Sequence, residues 1–139
     1  MKVFFCLIVL LSAAAAGVAA IPGVCNNELS EWIKSKRPLS IVDVQAASDF
    51  RARNYDQSLS TGNDPAHLKK IAVRLKGKPG EVVVVSADGG ADALRAVEVL
   101  VRGGVKRSRV LILEGGMEAA ATNATCDCCK PLHPKVSSK

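Results

Sequence analysis

The stretch Glu81-Val82-Val83-Val84-Val85-Ser86-Ala87-Asp88-Gly89-Gly90-Ala91 decides the fold of this chain of 139 residues. Four consecutive valines without polar alternation indicate a strand buried on both faces, which is typical of a central strand in a parallel sheet. Residues 86–90 then predict a tight turn, and residues 91–102 predict a helix whose Leu94, Val97 and Val101 face inward. Gly103 and Gly104 end that helix.

Two further apolar runs of strand length flank this stretch. Residues 39–44 (LSIVDV) and 109–113 (RVLIL) predict strands, and residues 28–36, 66–75 and 117–121 predict helices. A short helical turn is predicted at 49–51, and the polar segment 54–65 is interpreted as a long loop. Strands that alternate with helices predict an α/β fold, a three-layer sandwich around a central and mainly parallel sheet.

The first 20 residues have the organisation of a secretory signal peptide. Lys2 gives a positive start, residues 3–11 (VFFCLIVLL) are apolar, and the small residues that follow end in Val18-Ala19-Ala20. The alternative is a transmembrane anchor, which the Ala- and Gly-rich second half of the segment disfavours. We therefore predict cleavage after Ala20, export to the periplasm or the extracellular space, and no stable membrane insertion after cleavage. The predicted divisions are a signal peptide at 1–20, a folded domain at 21–121 and a cysteine-containing tail at 122–139.

Composition excludes several classes of protein. The chain is 48% hydrophobic and 23% charged, which fits neither a disordered tail nor a chain embedded throughout in a membrane. Lys and Arg number 19 against 13 Asp and Glu, and no aromatic ladder accompanies the basic residues, so a nucleic-acid partner is not expected. No cofactor is predicted, and the partner is left open as an unknown protein or small molecule.

Signal cleavage removes Cys6 and leaves four cysteines, namely Cys25, Cys126, Cys128 and Cys129. An even number of cysteines in an exported chain indicates disulfides, although the sequence does not choose among the pairings. In one interpretation Cys25 bonds a tail cysteine and closes a loop of about 100 residues, which contributes up to ~4.7 kcal/mol in the chain-entropy treatment.

Two other interpretations of the tail stay open. Cys126-x-x-Cys129, with Cys128 and His133, has a spacing that suits zinc or Cu(I), but a single cluster of this kind is only half a site. Alternatively, the tail cysteines form a redox-active or sulfur-carrying dithiol. Asn123-Ala124-Thr125 is in addition a glycosylation sequon.

Three segments together resemble the rhodanese-like domain over about residues 27–121. They are Ile41-Val42-Asp43-Val44 with Asp49-Phe50, the strand at 82–85 with its turn and helix, and Val110-Leu111-Ile112-Leu113-Glu114-Gly115-Gly116-Met117. The resemblance implies a sulfurtransferase fold in which the loop after the central strand carries a cysteine that receives a sulfane sulfur as a persulfide. Backbone N–H groups of that loop and of the next helix stabilise the negative charge there.

The active-site-like loop departs from the family pattern. Its residues are Ser86, Ala87, Asp88, Gly89, Gly90 and Ala91. Ser86 stands at the family cysteine position, and a serine hydroxyl neither ionises near neutral pH nor holds a stable persulfide. Of the pattern Cys-x-x-Gly-x-Arg only Gly89 remains, because Ala91 falls at the arginine, and Asp88 and Asp92 add negative charge where an anion should bind.

A serine hydrolase is not expected either. Gly-x-Ser-x-Gly is absent around Ser86, and the only histidines, His67 and His133, lie near no suitable third member of a triad. We therefore predict no catalytic residue and expect an exported pseudoenzyme, a rhodanese-like domain with a binding or scaffolding role. The alternative is an exported sulfur carrier or thiol-redox protein that uses Cys126, Cys128 and Cys129.

Overall fold

The structure is a computed structural model that describes residues 20–122 of the chain. These residues form, in chain order, β1 (Gly23–Val24), α1 (Asn26–Lys34), β2 (Leu39–Asp43), α2 (Ala47–Ala52), β3 (Leu59–Ser60), α3 (Pro65–Leu75), β4 (Glu81–Val85), α4 (Ala91–Arg102), β5 (Val110–Leu113) and α5 (Gly116–Thr122). A 3-10 turn at Arg107–Arg109 precedes β5. The strands form one sheet in the order β1-β5-β4-β2-β3, and every neighbouring pair is parallel.

The valines of β4 build a core on each face of this sheet. Val82 and Val84 belong to a buried cluster that includes residues of α3 and α4, such as Leu68 and Leu100. Val83 and Val85 belong to a second cluster, which includes Leu29 of α1 and Met117 of α5. Because successive side chains of a strand point to opposite faces, one apolar strand supports both helical layers. The predicted three-layer α/β sandwich is confirmed.

The inward face of α4 differs from the prediction. Val97 is buried as predicted, but Leu94 is 49% exposed, and Val101 is only partly buried. The buried residues are Ala93, Ala96, Val97 and Leu100. These positions also follow the spacing of one helix face, but two of them are alanines, which carry little weight in a hydrophobic pattern and let the helix approach the sheet closely.

Two short strands are absent from the sequence-based prediction. β1 lies at one edge of the sheet beside β5, and β3 lies at the other edge beside β2, within the segment interpreted as a loop. Strands of two residues are too short to show a hydrophobic alternation. The helix predicted at 28–36 begins at Asn26 and ends at Lys34. It does not extend to residue 36, because Lys36 has a left-handed backbone with φ of 54°.

Charged residues are divided between the two ends of the sheet. Because all strands are parallel, they start at one end, here called the amino edge, and finish at the other, the carboxyl edge. Segments that precede strands carry Lys36, Lys78 and Lys106 together with Asp56, and segments that follow strands carry Asp49, Asp88 and Glu114 together with Arg51 and Arg53. Helices returning from the carboxyl edge to the amino edge have dipoles that favour this distribution.

Within residues 20–122 no helix is long and apolar enough to cross a membrane. The predicted signal peptide lies outside the described residues apart from Ala20, and the tail lies outside them from Asn123 onward.

Candidate functional site

The loop at 86–90 connects the carboxyl end of β4 to α4. Ser86 is 1% exposed, and its Oγ accepts a hydrogen bond from the N–H of Gly89 with an N–O distance of 2.9 Å. The Oδ1 atom of Asp88 accepts from the N–H of Gly90 at 2.8 Å. Two backbone donors of the loop are therefore bonded to side chains of the same loop. The Gly90 donor is thus occupied by a carboxylate, whereas in an anion site such a donor points at the ligand.

Backbone carbonyls of the same loop hold α5. The N–H of Met117 donates to the Ser86 carbonyl oxygen, and the N–H of Glu118 donates to the Ala87 carbonyl oxygen, both at 2.9 Å. Gly89 has φ of 73°, and a Cβ there would lie 2.7 Å from the carbonyl oxygen of Leu113. A left-handed backbone and this close approach both require glycine. The loop is thus packed against the end of β5 and the start of α5.

Among residues 20–122, no histidine or carboxylate is hydrogen-bonded to the Ser86 hydroxyl as a general base. Its Oγ is bonded to the Gly89 N–H rather than to a histidine, and His67 lies exposed on α3. Asp92, in the first turn of α4, accepts hydrogen bonds from Arg95 and from Nδ2 of Asn63. The arginine nearest in sequence to the loop therefore serves a carboxylate of its own helix.

A buried carboxylate lies at the carboxyl end of β2, next to this loop in the sheet. Asp43 is fully buried, and its two oxygens accept from the backbone N–H and from Nε2 of Gln45, at 2.9 and 3.1 Å. Burial raises the pKa of Asp43, while the bonds from Gln45 act in the opposite direction. Nε2 of Gln45 also donates to the carbonyl oxygen of Arg53 at 3.3 Å.

Tyr55 extends the polar part of this region toward α1. Its hydroxyl donates to Oδ1 of Asn26 at 2.5 Å. Burial raises the pKa of Tyr55 to about 12, and the negative charge of Asp43 adds to the shift. Sequence reasoning did not identify this group of residues. The one available signal was Asp43 itself, a single acidic residue inside the apolar run 41–44.

Two adjoining cavities open at this end of the molecule, on the side of Asp43 and Tyr55. The larger, of about 470 Å³, is lined by residues that include Asn26, Arg53, Tyr55, Met117 and Ala121. The smaller, of about 210 Å³, is lined by residues that include Gln45, Asp49, Arg53, Ala87 and Glu118. Both cavities are lined by Ala52, Arg53 and Met117, so they lie side by side along the carboxyl edge.

The cysteine predictions reach the described residues only at Cys25. This residue is 4% exposed and directly precedes α1. Its neighbour Asn26 lines the larger cavity together with Ala120 and Ala121 of α5, so the chain reaches the last described residue close to Cys25. Cys126, Cys128 and Cys129 lie outside the described residues, and their pairing stays a prediction. Within the described range, no group of three or more potential ligands is placed to hold a metal ion.

No family model matches the chain, and no curated protein matches it in sequence. Solved structures do match it. A rhodanese-related protein from Thermoplasma volcanium superposes with a TM-score of 0.57 at 20% identity, covering 76% of this chain and 95% of its own. The As–Sb reductase of Leishmania major gives a TM-score of 0.62 at 18% identity and covers 76% and 79%. A yeast protein tyrosine phosphatase of the rhodanese family gives 0.55 at 18% identity and covers 73% and 84%.

These similarities confirm the predicted fold. The chain has the rhodanese-like fold, with an all-parallel five-stranded sheet flanked by helices. At such identities the likeness concerns the fold alone, and the chemistry of the site rests on its residues.

Proposed function

We propose that the chain is an exported, non-catalytic rhodanese-like domain with a binding or scaffolding role. The observation that carries this proposal is the internal bonding of the loop after β4. Ser86 occupies the place where the resemblance puts the sulfur-accepting cysteine, and its hydroxyl accepts the Gly89 N–H. Asp88 accepts the Gly90 N–H. The loop thus lacks the thiol, and its own side chains engage two of its donors.

Charge supports the same conclusion. Thiosulfate and phosphate esters are anions, and the carboxyl edge carries Asp49, Asp88, Glu114 and Glu118, with Arg53 as the opposing cation in the lining of both cavities. Clusters of one sign raise the concentration of ligands of opposite charge and lower that of like charge. The two adjoining cavities at this edge are the proposed binding region for the partner, which is a protein or small molecule that does not depend on an anion cradle.

Sulfur transfer gives the direct test. In the family reaction, a thiolate attacks the sulfane sulfur of thiosulfate, sulfite leaves, and cyanide then removes the sulfur as thiocyanate and restores the thiolate. We expect protein purified after expression of the full chain to form no thiocyanate above the uncatalysed rate. Clear turnover would contradict the non-catalytic assignment.

A Ser86→Cys variant sharpens this test. If the loop were an intact anion-binding site that lacks only the cysteine sulfur, the new thiol would restore turnover. In the variant, Asp88 still accepts the Gly90 N–H, and N–H groups of α5 still bond the carbonyl oxygens of residues 86 and 87. We therefore expect no turnover in the variant. Restored turnover would show that the anion site is intact, and the internal-bonding argument would then be wrong.

The alternative function, a sulfur carrier or thiol-redox protein, is decided by the tail. Cys126→Ser and Cys129→Ser variants are compared with the unchanged chain in the same assay and in a persulfide-transfer assay. Activity that disappears in these variants would establish the alternative, whereas absence of activity in all three proteins agrees with the non-catalytic proposal.

The structural role proposed for the cysteines is a disulfide between Cys25 and a tail cysteine. Support comes from the position of Cys25 beside the cavity that the end of α5 also lines. Two thiols form the bond and lose two protons and two electrons to a disulfide oxidant of the exported compartment. Thiol counting before and after reduction, with a metal analysis, tests it. Four reactive thiols and no metal would contradict both the disulfide and the metal-site interpretations.

A further inference from the structure

A cavity of about 510 Å³ lies at the amino edge, remote from the loop of Ser86. It is called the basic cleft here, and its lining includes Lys36, Arg37, Leu39, Gln57, Leu59 and Lys78. The cleft exists because β3 is much shorter than β2. Its walls are the end of α1, the first half of β2, the turn before β3 and the segment before β4.

Within the part of the chain that the structure describes, no strand pairs with the first half of β2 on the side of the cleft, which makes it a free sheet edge there. β2 pairs with β4 from Leu39 to Asp43, but with β3 only at Val42 and Asp43. The N–H of Val44 donates to Val85 in β4, whereas the carbonyl oxygen of Asp43 accepts from Thr61 beyond β3. Since consecutive residues of a strand alternate in the side to which their peptide groups point, the peptide groups of Leu39 point into the cleft.

The charge of the cleft is mainly positive. Lys36 and Lys78 line it, and neither ammonium group has an ion-pair partner among residues 20–122. Arg37 is held by a 2.5 Å ion pair to Glu81 and lies 4.2 Å from the ring centre of Trp32. Asp56 is the one carboxylate in the lining. Lysines 36 and 78 therefore give the cleft a net attraction for acidic groups.

The backbone of the cleft walls is held in an unusual conformation. Three non-glycine residues among those described have positive φ, and two of them, Lys36 at 54° and Gln57 at 63°, line the cleft. Left-handed backbone is costly for any residue with a Cβ, and glycine is the usual choice at a helix end such as that of α1. Both positions thus keep a side chain where glycine would be more stable. Residues so placed cluster at binding sites.

We propose that the basic cleft binds an extended acidic peptide segment of a partner protein. The segment adds a short strand to the free edge of β2, and its carboxylates pair with Lys36 and Lys78. The half-buried apolar side chains of Ile33 and Leu39 receive its residues on one face of the sheet, and Leu59 contacts it on the other face. Strand addition of this kind takes its affinity from main-chain hydrogen bonds and its selectivity from side-chain pockets. This site is independent of the chemistry at Ser86.

The test uses a fluorescein-labelled peptide of seven residues in which glutamate and valine alternate. Fluorescence anisotropy is measured with protein purified after expression of the full chain, at low salt. One control peptide replaces every glutamate by lysine. Two further controls are N-methylated, one at the valines and one at the glutamates, so that each loses the donors of one strand edge while its charge is unchanged. We expect saturable binding of the acidic peptide, none of the basic one, and loss in at least one methylated form.

The protein variants separate the cleft from general charge. Lys36→Gly with Lys78→Gln removes both cations and keeps a residue that suits the left-handed backbone, so the fold is retained. Lys69→Gln with Lys70→Gln removes the same charge from the exposed face of α3. We expect about tenfold weaker binding for the first pair and no change for the second.

Four results would overturn the proposal. They are the absence of saturable binding up to about 1 mM peptide, equal weakening by the two pairs of substitutions, full binding of both methylated peptides, and displacement by equimolar inorganic phosphate. The last would identify a simple anion site without strand addition.

Discussion

Replacing Ser86 by alanine tests whether this residue is structural or chemical. The substitution removes the Oγ that accepts the Gly89 N–H at 2.9 Å and leaves that donor without its partner. Ser86 is 1% exposed, so water does not reach the vacated position freely. A donor left without a partner in such a place costs about 1 to 3 kcal/mol of unfolding free energy. For a domain of this size, each kilocalorie lowers Tm by roughly 4 to 8 °C.

Urea unfolding measures this loss. Trp32 is the only tryptophan of the chain and packs against the buried cluster around Leu29, so its fluorescence reports the folded state. The matched control is Ser48→Ala, since Ser48 is an exposed serine of α2. We expect the control to change stability by less than about 0.5 kcal/mol.

The refuting result is equally specific. If Ser86→Ala and Ser48→Ala both stay within about 0.5 kcal/mol of the unchanged chain, the hydroxyl of Ser86 does not hold the loop. Ser86 would then be available for chemistry, and its hydroxyl would not be a structural partner of the Gly89 N–H.

Three other changes test the remaining features. Lys36→Gly relieves a left-handed backbone with φ of 54°. The substitution should raise the free energy of unfolding by about 1 kcal/mol in urea titration, and a lower free energy of unfolding would show that this backbone is not strained. Asp43→Asn removes a carboxylate whose pKa is raised above 3.8 by burial. Because ionisation of the buried Asp43 lowers the stability of the unchanged chain as pH rises above about 4, urea titrations should show the variant gaining stability relative to that chain over the same rise, and an unchanged difference between the two would contradict the raised pKa. Tyr55→Phe loses the bond to Asn26, at a cost of about 1 kcal/mol near neutral pH. Burial raises the pKa of Tyr55 from 10.0 to about 12, so the stability that this shift gives is complete below pH 10.0 and is lost as the pH rises through about 12. This loss of stability at alkaline pH should be absent from the variant. If the variant loses stability in the same way, the loss belongs to other groups.

The sequence predicted the layers of the fold because β4 and β5 are apolar without interruption. The same property limited the prediction elsewhere. Alanine carries little hydrophobic signal, so the inward face of α4, with Ala93 and Ala96, was assigned to Leu94 instead. β1 and β3 are defined by their neighbours in the sheet, and two residues show no pattern of their own.

The position of the candidate loop was predictable, but its internal bonding was not. A turn after a central strand follows from the sequence at 86–90, whereas the bonds of Ser86 and Asp88 depend on the backbone path through Gly89. Tyr55 and Asn26 lie far apart along the chain and meet only through packing. The predictions for Cys126, Cys128 and Cys129 stay predictions.

The four valines of β4 have a consequence for folding. If β4 were shifted by one residue against β2, most of its positions in the sheet would still be occupied by valine. The valine side chains therefore barely distinguish the correct alignment from the shifted one. The alignment must therefore be set by the ends of the strand. Glu81 pairs with Arg37 at one end, the Gly80 carbonyl accepts from Nε of Arg109 at 2.7 Å, and the bonded loop at Ser86 closes the other end. Substitutions at these end residues are expected to slow folding by admitting misaligned sheets.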